Sequence, residues 1–282
     1  MTNTAEHIGK IPLAGVIGSP IAHSKSPQLH GHWLKKHGIR GFYIPMDVAE
    51  SDLRGVLTAL PKAGFVGVNV TIPHKEAVLG FADQITDRAK LIGAANTLTF
   101  GEDGEIHADN TDGYGFIENL KAGAPLWNAK QGPAAVLGAG GAARGVIVSL
   151  LEAGVPEILL SNRTRARADN LQSDFGSQVR VVEWAEAGSM FEESNLIVNT
   201  SSLGMVGKPE MSLPLDGIKK AAVVTDLVYT PLKTRLLQVA ENKGCVTVDG
   251  LGMLLHQAVP GFERWFGRRP EVDADARSAV SG

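Results

Sequence analysis

Short apolar runs alternate with stretches of helical period along nearly the whole chain. Runs of this kind are buried on both faces, which helices packed on both sides of a sheet achieve. The expected fold class is therefore α/β, with largely parallel sheets. In the first third, LAGVIG (13–18) reads as a strand, Ser26–His37 as a helix, and FYIPMDV as a second strand. A helix over LRGVLTAL and a strand holding Val70 follow. Around residues 97–108, two strand-like arms flank the turn signal EDGE, which predicts a hairpin.

A second α/β unit is expected to begin near Gly132, where GPAAVLGAGGAARGVIVSLLEAG reads as strand, glycine turn and helix. ILLSN, a polar helix over Thr164–Phe175, VRVVEW, another helix, NLIVNTS and AVVTDLVY continue a Rossmann-like run. After VTVDG, the segment LGMLLHQAVPGFERWF has helical period. Its expected place is back on the first unit, which makes that unit discontinuous.

The stretch GAGGAA (138–143) fits G-x-G-x-x-G/A with alanine in the third place, and it follows a strand and opens a helix. Gly138 permits the tight turn and Gly140 a close approach of backbone to a pyrophosphate, while Ala143 packs helix on strand. The helix N-terminus supplies amide donors and positive potential. A dinucleotide is the expected ligand. At the end of the next strand an NAD binder carries Asp or Glu for the ribose 2'-hydroxyl. This chain has SNRTRAR there, and Arg163 with Arg167 one helical turn on would face a 2'-phosphate. NADP is the cofactor expected.

Three polar clusters lie outside the nucleotide unit: PIAHSKSP (20–27), GAANT (93–97) with DNTDG (109–113), and DGLGMLLHQ (249–257). Ser24 and Ser26 follow the first strand and suit a carboxylate, with Ser26 also placed to cap a helix that has Pro27 in its first turn. NVTIPHK (69–75) runs a strand into a proline and ends on a lysine, and strand ends in α/β proteins are where ligands are met. Most lysines are solvated surface residues. Lys75, Asp112 and Asn96 together, however, form the pieces of an acid–base site for a sugar-like alcohol, whose hydroxyl proton must move when its carbon gives up a hydride.

Twenty-seven basic residues against 30 acidic give a formal net charge of -3, so nothing favours nucleic acid or an anionic membrane as partner. No apolar run approaches the roughly 18 residues of a membrane span. Glycine, 33 residues, implies tight turns and close backbone contacts. The N-terminal stretch lacks a basic segment followed by an apolar one, and the single cysteine, Cys245, forms no internal disulfide; the expected location is the cytoplasm. His23, His30, His32 and His37 make no familiar zinc pattern and are expected at the surface or at helix caps. No metal is expected. Cys245, before an apolar strand, is expected to be buried packing.

With these residues in hand, the chain resembles the shikimate dehydrogenase family over about Leu13–Phe266. GSPIAHSKSP, NVTIPHK, GAANTL, DNTDG, GAGGAAR, SNRT, NTSSLGM, DLVYTP and DGLGMLLHQ carry the resemblance, in this order. It implies NADP-dependent interconversion of 3-dehydroshikimate and shikimate in the pathway to chorismate and the aromatic amino acids. It implies Lys75 and Asp112 as the catalytic pair. Ser24, Ser26 and Tyr229 would hold the substrate carboxylate, and Thr71, Asn96 and Gln257 the ring hydroxyls. The cofactor would meet Gly138, Ala139, Gly140, Gly141 and Ala142, the group Asn162, Arg163, Thr164 and Arg167, and Gly250 with Met253. The implied domains are a substrate domain of residues 1–111 plus 251–282 and a Rossmann-like NADP domain of residues 112–250, as monomer or homodimer. His74 stands where many members carry an aromatic residue. The competing readings are a quinate or aminoshikimate dehydrogenase, a folate-linked dehydrogenase of similar plan, which leaves the SKSP loop unexplained, and a non-catalytic NADP(H) sensor, which gives no reason for Lys75, Asn96 and Asp112 to accompany the two serines.

Overall fold

The computed structural model describes residues 10–281. The chain divides into two compact units: one runs to Thr111 and resumes at Ala258, the other is Asp112–Gln257. On the C-terminal side the division falls inside a helix, not at its start.

In the first unit the elements are β1 (Leu13–Gly18), α1 (Ser26–Lys36), β2 (Phe42–Asp47), α2 (Leu53–Ala59), β3 (Phe65–Val70), β4 (Gln84–Ile85), α3 (Asp87–Ile92), β5 (Thr97–Phe100) and β6 (Ile106–Asp109). Their sheet has the order β2-β1-β3-β5-β6-β4. It is mixed, because the hairpin enters reversed: β5 is antiparallel to both β3 and β6. The expectation of parallel pairing holds for β1 with β2 and β3. A hairpin needs only a short turn, whereas a parallel return needs a crossover, and Gly101–Glu105 is too short for one.

The second unit has α4 (Asp112–Gly123), β7 (Ala134–Leu137), α5 (Gly141–Ala153), β8 (Ile158–Ser161), α6 (Arg165–Phe175), β9 (Val179–Val181), α7 (Met190–Glu193), β10 (Leu196–Asn199), β11 (Val223–Asp226), α8 (Arg235–Asn242) and β12 (Val246–Val248). The strand order β12-β11-β10-β7-β8-β9 is all parallel. Taking β7 as first strand, this is the 3-2-1-4-5-6 order of dinucleotide-binding sheets, which reverses between β7 and β10. Ala134–Leu137, Ile158–Leu160 and Leu196–Val198 are each at most 1 % exposed, as strands covered on both faces must be. The last helices are α9 (Leu251–Phe266) and α10 (Ala274–Val280). No described helix is long and apolar enough to cross a membrane.

Gly67 shows how closely the first core is packed: a Cβ there would lie 2.0 Å from Trp265 Nε1 and 2.3 Å from Leu98 O. Trp265 Nε1 donates to Leu98 O over 3.1 Å, so a methyl group would displace both partners of that bond. Gly67→Ala is expected to cost at least about 2 kcal/mol, from overpacking and the lost bond. A denaturant midpoint unchanged from the wild type would contradict this.

His30 corrects the surface expectation. It is fully buried, stacked on Tyr43 with ring centroids 3.9 Å apart, and neither ring nitrogen has a hydrogen-bond partner among the described residues. It lies at a position of α1 that shares the inward stripe with Leu29, Trp33 and Leu34, and a polar ring there follows the helix rather than its own preference. His23 is exposed, and His32 and His37 are half-buried. Burial pushes the His30 pKa down to about 3. The unfolded chain therefore binds this proton at a higher pH than the folded one, and the stability present above pH ~6.5 is lost as pH falls towards 3. At pH ~5 the loss is about 2 kcal/mol, read as the difference in pH dependence between wild type and His30→Phe. Equal slopes for the two proteins would refute it.

Candidate functional site

In the first unit the exits of β1, β3 and the turn before β5 are sewn together by backbone bonds. Thr71 N donates to Ile17 O (2.9 Å) and Ser19 N to Ile72 O (3.1 Å). Val70 N donates to Asn96 O (2.9 Å) and Ala95 N to Lys75 O (2.8 Å). The same strand ends thus gather Thr71, Lys75 and Asn96. Thr71 and Lys75 are half-buried and Asn96 is buried. His74 is wholly buried, with Nε2 2.7 Å from Val48 O, so this turn is anchored next to the lysine.

Asn96 Oδ1 accepts from Thr97 Oγ1 (2.9 Å), Thr111 N (2.8 Å) and Thr111 Oγ1 (3.1 Å). Its carbonyl oxygen is thereby committed inside the protein, and toward a ligand oxygen the amide can act only as a donor, through Nδ2. The same bonds tie GAANT to DNTDG, two motifs that sequence alone could only set side by side. Asp109, nearby in that motif, is buried; burial raises its pKa, but Arg264, Thr86 and Arg88 outweigh this and hold it below the usual carboxylate range.

Ser24 and Ser26 are half-buried in the loop and first turn after β1. The N-cap position belongs to Lys25, and Ser26 is the first helical residue. Ser26 therefore does not cap the helix; Ser24 Oγ instead accepts from Ser26 N at 3.3 Å, and Ser26 shares a hydrogen bond with the Tyr43 hydroxyl. Pro27 occupies the first turn, where its missing N–H costs nothing.

In the second unit Gly138 has φ +107°, and a Cβ on it would come within 2.7 Å of Thr200 Oγ1. Glycine is required there. Gly140 and Gly141 have nothing within 4 Å of a notional Cβ, which leaves their backbone open to a ligand; Ala139 lies in the turn and Ala142 in the first turn of α5. Ala143 is wholly buried between helix and sheet. Asn162 Oδ1 accepts from Ala139 N at 3.1 Å while its Nδ2 donates to Thr164 O at 2.8 Å. One side chain thus joins the glycine turn to the segment carrying Arg163, Thr164 and Arg167, all exposed. The neighbouring Arg165 is already bound to Asp169 and Glu183, and Arg144 to Asp174.

Asp112 is the half-buried first residue of α4. Tyr229 is 38 % exposed in the loop after β11. Gln257 and Met253 lie half-buried on α9, Gln257 Nε2 donating to Leu254 O at 3.0 Å and Met253 packing against the core of the second unit. Gly250 is buried, and a Cβ on it would meet Leu227 O at 2.3 Å and Asp226 O at 2.8 Å. Among the described residues no group of three or more His, Cys, Asp or Glu side chains could hold a metal. Cys245 is buried and its Sγ donates to Lys219 O at 3.2 Å.

Sequence reasoning passed over Asp226 and Asn199. Asp226 is wholly buried, accepting from Asn199 Nδ2 (2.9 Å), Val228 N (3.0 Å) and Thr234 Oγ1 (2.7 Å). Burial pushes its pKa up to about 6, against these three bonds. Both residues end apolar strands, in IVNTS and VVTDL, and a polar residue closing a buried strand was the available signal.

An all-parallel sheet with this strand order and glycine turn, joined in one chain to a mixed α/β unit whose strand ends gather an amine, an amide and hydroxyls, defines a dinucleotide-dependent dehydrogenase. Three family models match: the shikimate dehydrogenase substrate binding domain over residues 16–98, shikimate / quinate 5-dehydrogenase over 122–228, and the shikimate 5'-dehydrogenase C-terminal domain over 250–279. The chain belongs to the shikimate dehydrogenase family. It is 72 % identical to the shikimate dehydrogenase (NADP(+)) of Roseobacter denitrificans, over 97 % of this chain and 99 % of that one. Shikimate 5-dehydrogenase from Thermus thermophilus, solved with NADP(H) and shikimate, superposes with a TM-score of 0.84 at 39 % identity, covering 96 % and 98 % of the two chains. Quinate dehydrogenase from Corynebacterium glutamicum, solved with NAD, gives 0.88 at 30 % identity over 96 % and 99 %.

Proposed function

We propose that this chain is an NADP-dependent oxidoreductase that interconverts 3-dehydroshikimate and shikimate by hydride transfer, in the pathway to chorismate and the aromatic amino acids. One observation carries the cofactor and with it the reading: Asn162 and Arg163 stand after β8 where an NAD binder carries an acid, and Asn162 is bonded to the glycine turn. The fold does not choose between shikimate and quinate, since the quinate enzyme superposes as well as the shikimate one. The 72 % identity to an NADP(+) shikimate dehydrogenase favours shikimate.

In this reading Ser24, Ser26 and Tyr229 hold the substrate carboxylate, and Thr71, Asn96 and Gln257 the ring hydroxyls. Asn96, limited to donating, meets an oxygen lone pair. Lys75 and Asp112 exchange the hydroxyl proton with the substrate while the carbon exchanges a hydride. The cofactor, when bound, supplies the hydride donor or acceptor; the glycine turn 138–142 receives its pyrophosphate, Arg163 and Arg167 with Thr164 its 2'-phosphate, and Met253 and Gly250 lie towards the nicotinamide. The substrate domain is residues 1–111 with the C-terminal helices, the NADP domain the residues between, and the enzyme works in the cytoplasm.

The test is product identification. Protein given NADPH and 3-dehydroshikimate is expected to yield shikimate in amounts equal to the NADPH consumed. Tight NADPH binding without any shikimate would favour the sensor.

A further inference from the structure

At the carboxyl ends of β10 and β11, the end of one strand and both ends of the loop after the other converge on one buried carboxylate. The Asp226 side chain receives Asn199 Nδ2 and Val228 N on Oδ1 and Thr234 Oγ1 on Oδ2. Asn199 Oδ1 in turn accepts from Ser201 N (3.0 Å) and Ser201 Oγ (2.7 Å), which shapes the turn after β10. That turn reaches the glycine loop through Thr200, whose Oγ1 donates to Leu137 O at 2.8 Å beside Gly138. It reaches the Tyr229 segment through Val206 N, which donates to Thr230 O at 3.0 Å. Thr234 opens α8, accepting from Leu237 N, so both ends of the 226–234 loop are pinned to the same carboxylate. Gly250 packs closely against the backbone of Asp226 and Leu227.

Tyr229 itself is substantially exposed, and its place depends on the loop that carries it. We propose that Asp226 is a positioning residue: it holds the Tyr229 loop to the turn after β10 and so fixes where Tyr229 meets the substrate carboxylate. This rests on the reading above and adds a residue that touches neither reactant. A buried carboxylate accepting three bonds does what no apolar residue could, since Val228 N and Thr234 Oγ1 would otherwise lose their partner.

The test is the steady-state kinetics of Asp226→Ala and Asp226→Asn with shikimate and NADP, each alone and combined with Tyr229→Phe. Asp226→Ala is expected to raise KM for shikimate about tenfold with kcat within about threefold of wild type. Asp226→Asn keeps an acceptor for Asn199 and Val228 and can donate to Thr234 Oγ1, so it is expected to stay within about threefold of wild type. In the Tyr229→Phe background, Asp226→Ala is expected to add less than about twofold, because the two residues act through one contact. A KM unchanged by Asp226→Ala, or an equal effect in both backgrounds, would overturn the proposal. Should Asp226→Ala lack a cooperative unfolding transition, Thr234→Val decides: a rise of about threefold in KM at unchanged kcat supports the role, and no rise overturns it. Wild-type protein that turns over no shikimate would bring down the functional reading and this inference together, whereas an active wild type with indifferent variants removes only the inference.

Discussion

Replacing Lys75 by alanine is expected to lower kcat by about 10²- to 10⁴-fold while KM for shikimate changes only a few-fold, the range a positioned proton donor–acceptor contributes. The expectation follows from where the residue is held. Its backbone carbonyl is bonded to Ala95 N, next to Asn96, and the preceding His74 is locked in the core, so the amine leaves a fixed point. In the proposed reading this amine exchanges the carbinol proton, and alanine leaves nothing to take it. Loss confined to kcat marks a group that acts in the transition state, whereas a rise in KM alone would mark a binding contact. Near-native turnover with normal substrate binding would remove Lys75 from the proposed pair.

Truncating Arg163 to alanine is expected to raise KM for NADP by about 10- to 100-fold, the worth of hydrogen bonds to a charged group. KM for NAD, which has no 2'-phosphate, is expected to change little. The contrast matters more than either value, because Arg163 is exposed and its neighbour Arg165 is already engaged by Asp169 and Glu183. Equal losses for the two cofactors would mean that Arg163 supports the turn and does not read the phosphate.

Much of this is legible in the sequence because it is local. The glycine turn announces itself by GAGGAA between an apolar strand and a helix, and the missing acid after ILLS can be read one residue at a time. Strand positions in the second unit follow from runs buried on both faces. What the sequence does not carry is pairing between distant segments. Nothing in GAANT or DNTDG says that Asn96 Oδ1 will be filled by Thr111, because that contact exists only once β5 and β6 pair. His30 misled for a related reason: its chemistry belongs to the surface, but its place in the helical period belongs to the core, and the period won. Asp226 was hidden by its own motif, in which Tyr229 is the residue suited to a ligand and the acid three places before it serves only the protein's own donors.

The reading stands most directly on one comparison: the growth of reduced nicotinamide when purified protein meets shikimate or quinate, each with NADP or NAD. Turnover is expected to be rapid with shikimate and NADP and at most slow with the other three pairs. Equal or faster turnover with quinate, or with NAD, would contradict it and move the chain to the quinate-oxidising side of its family.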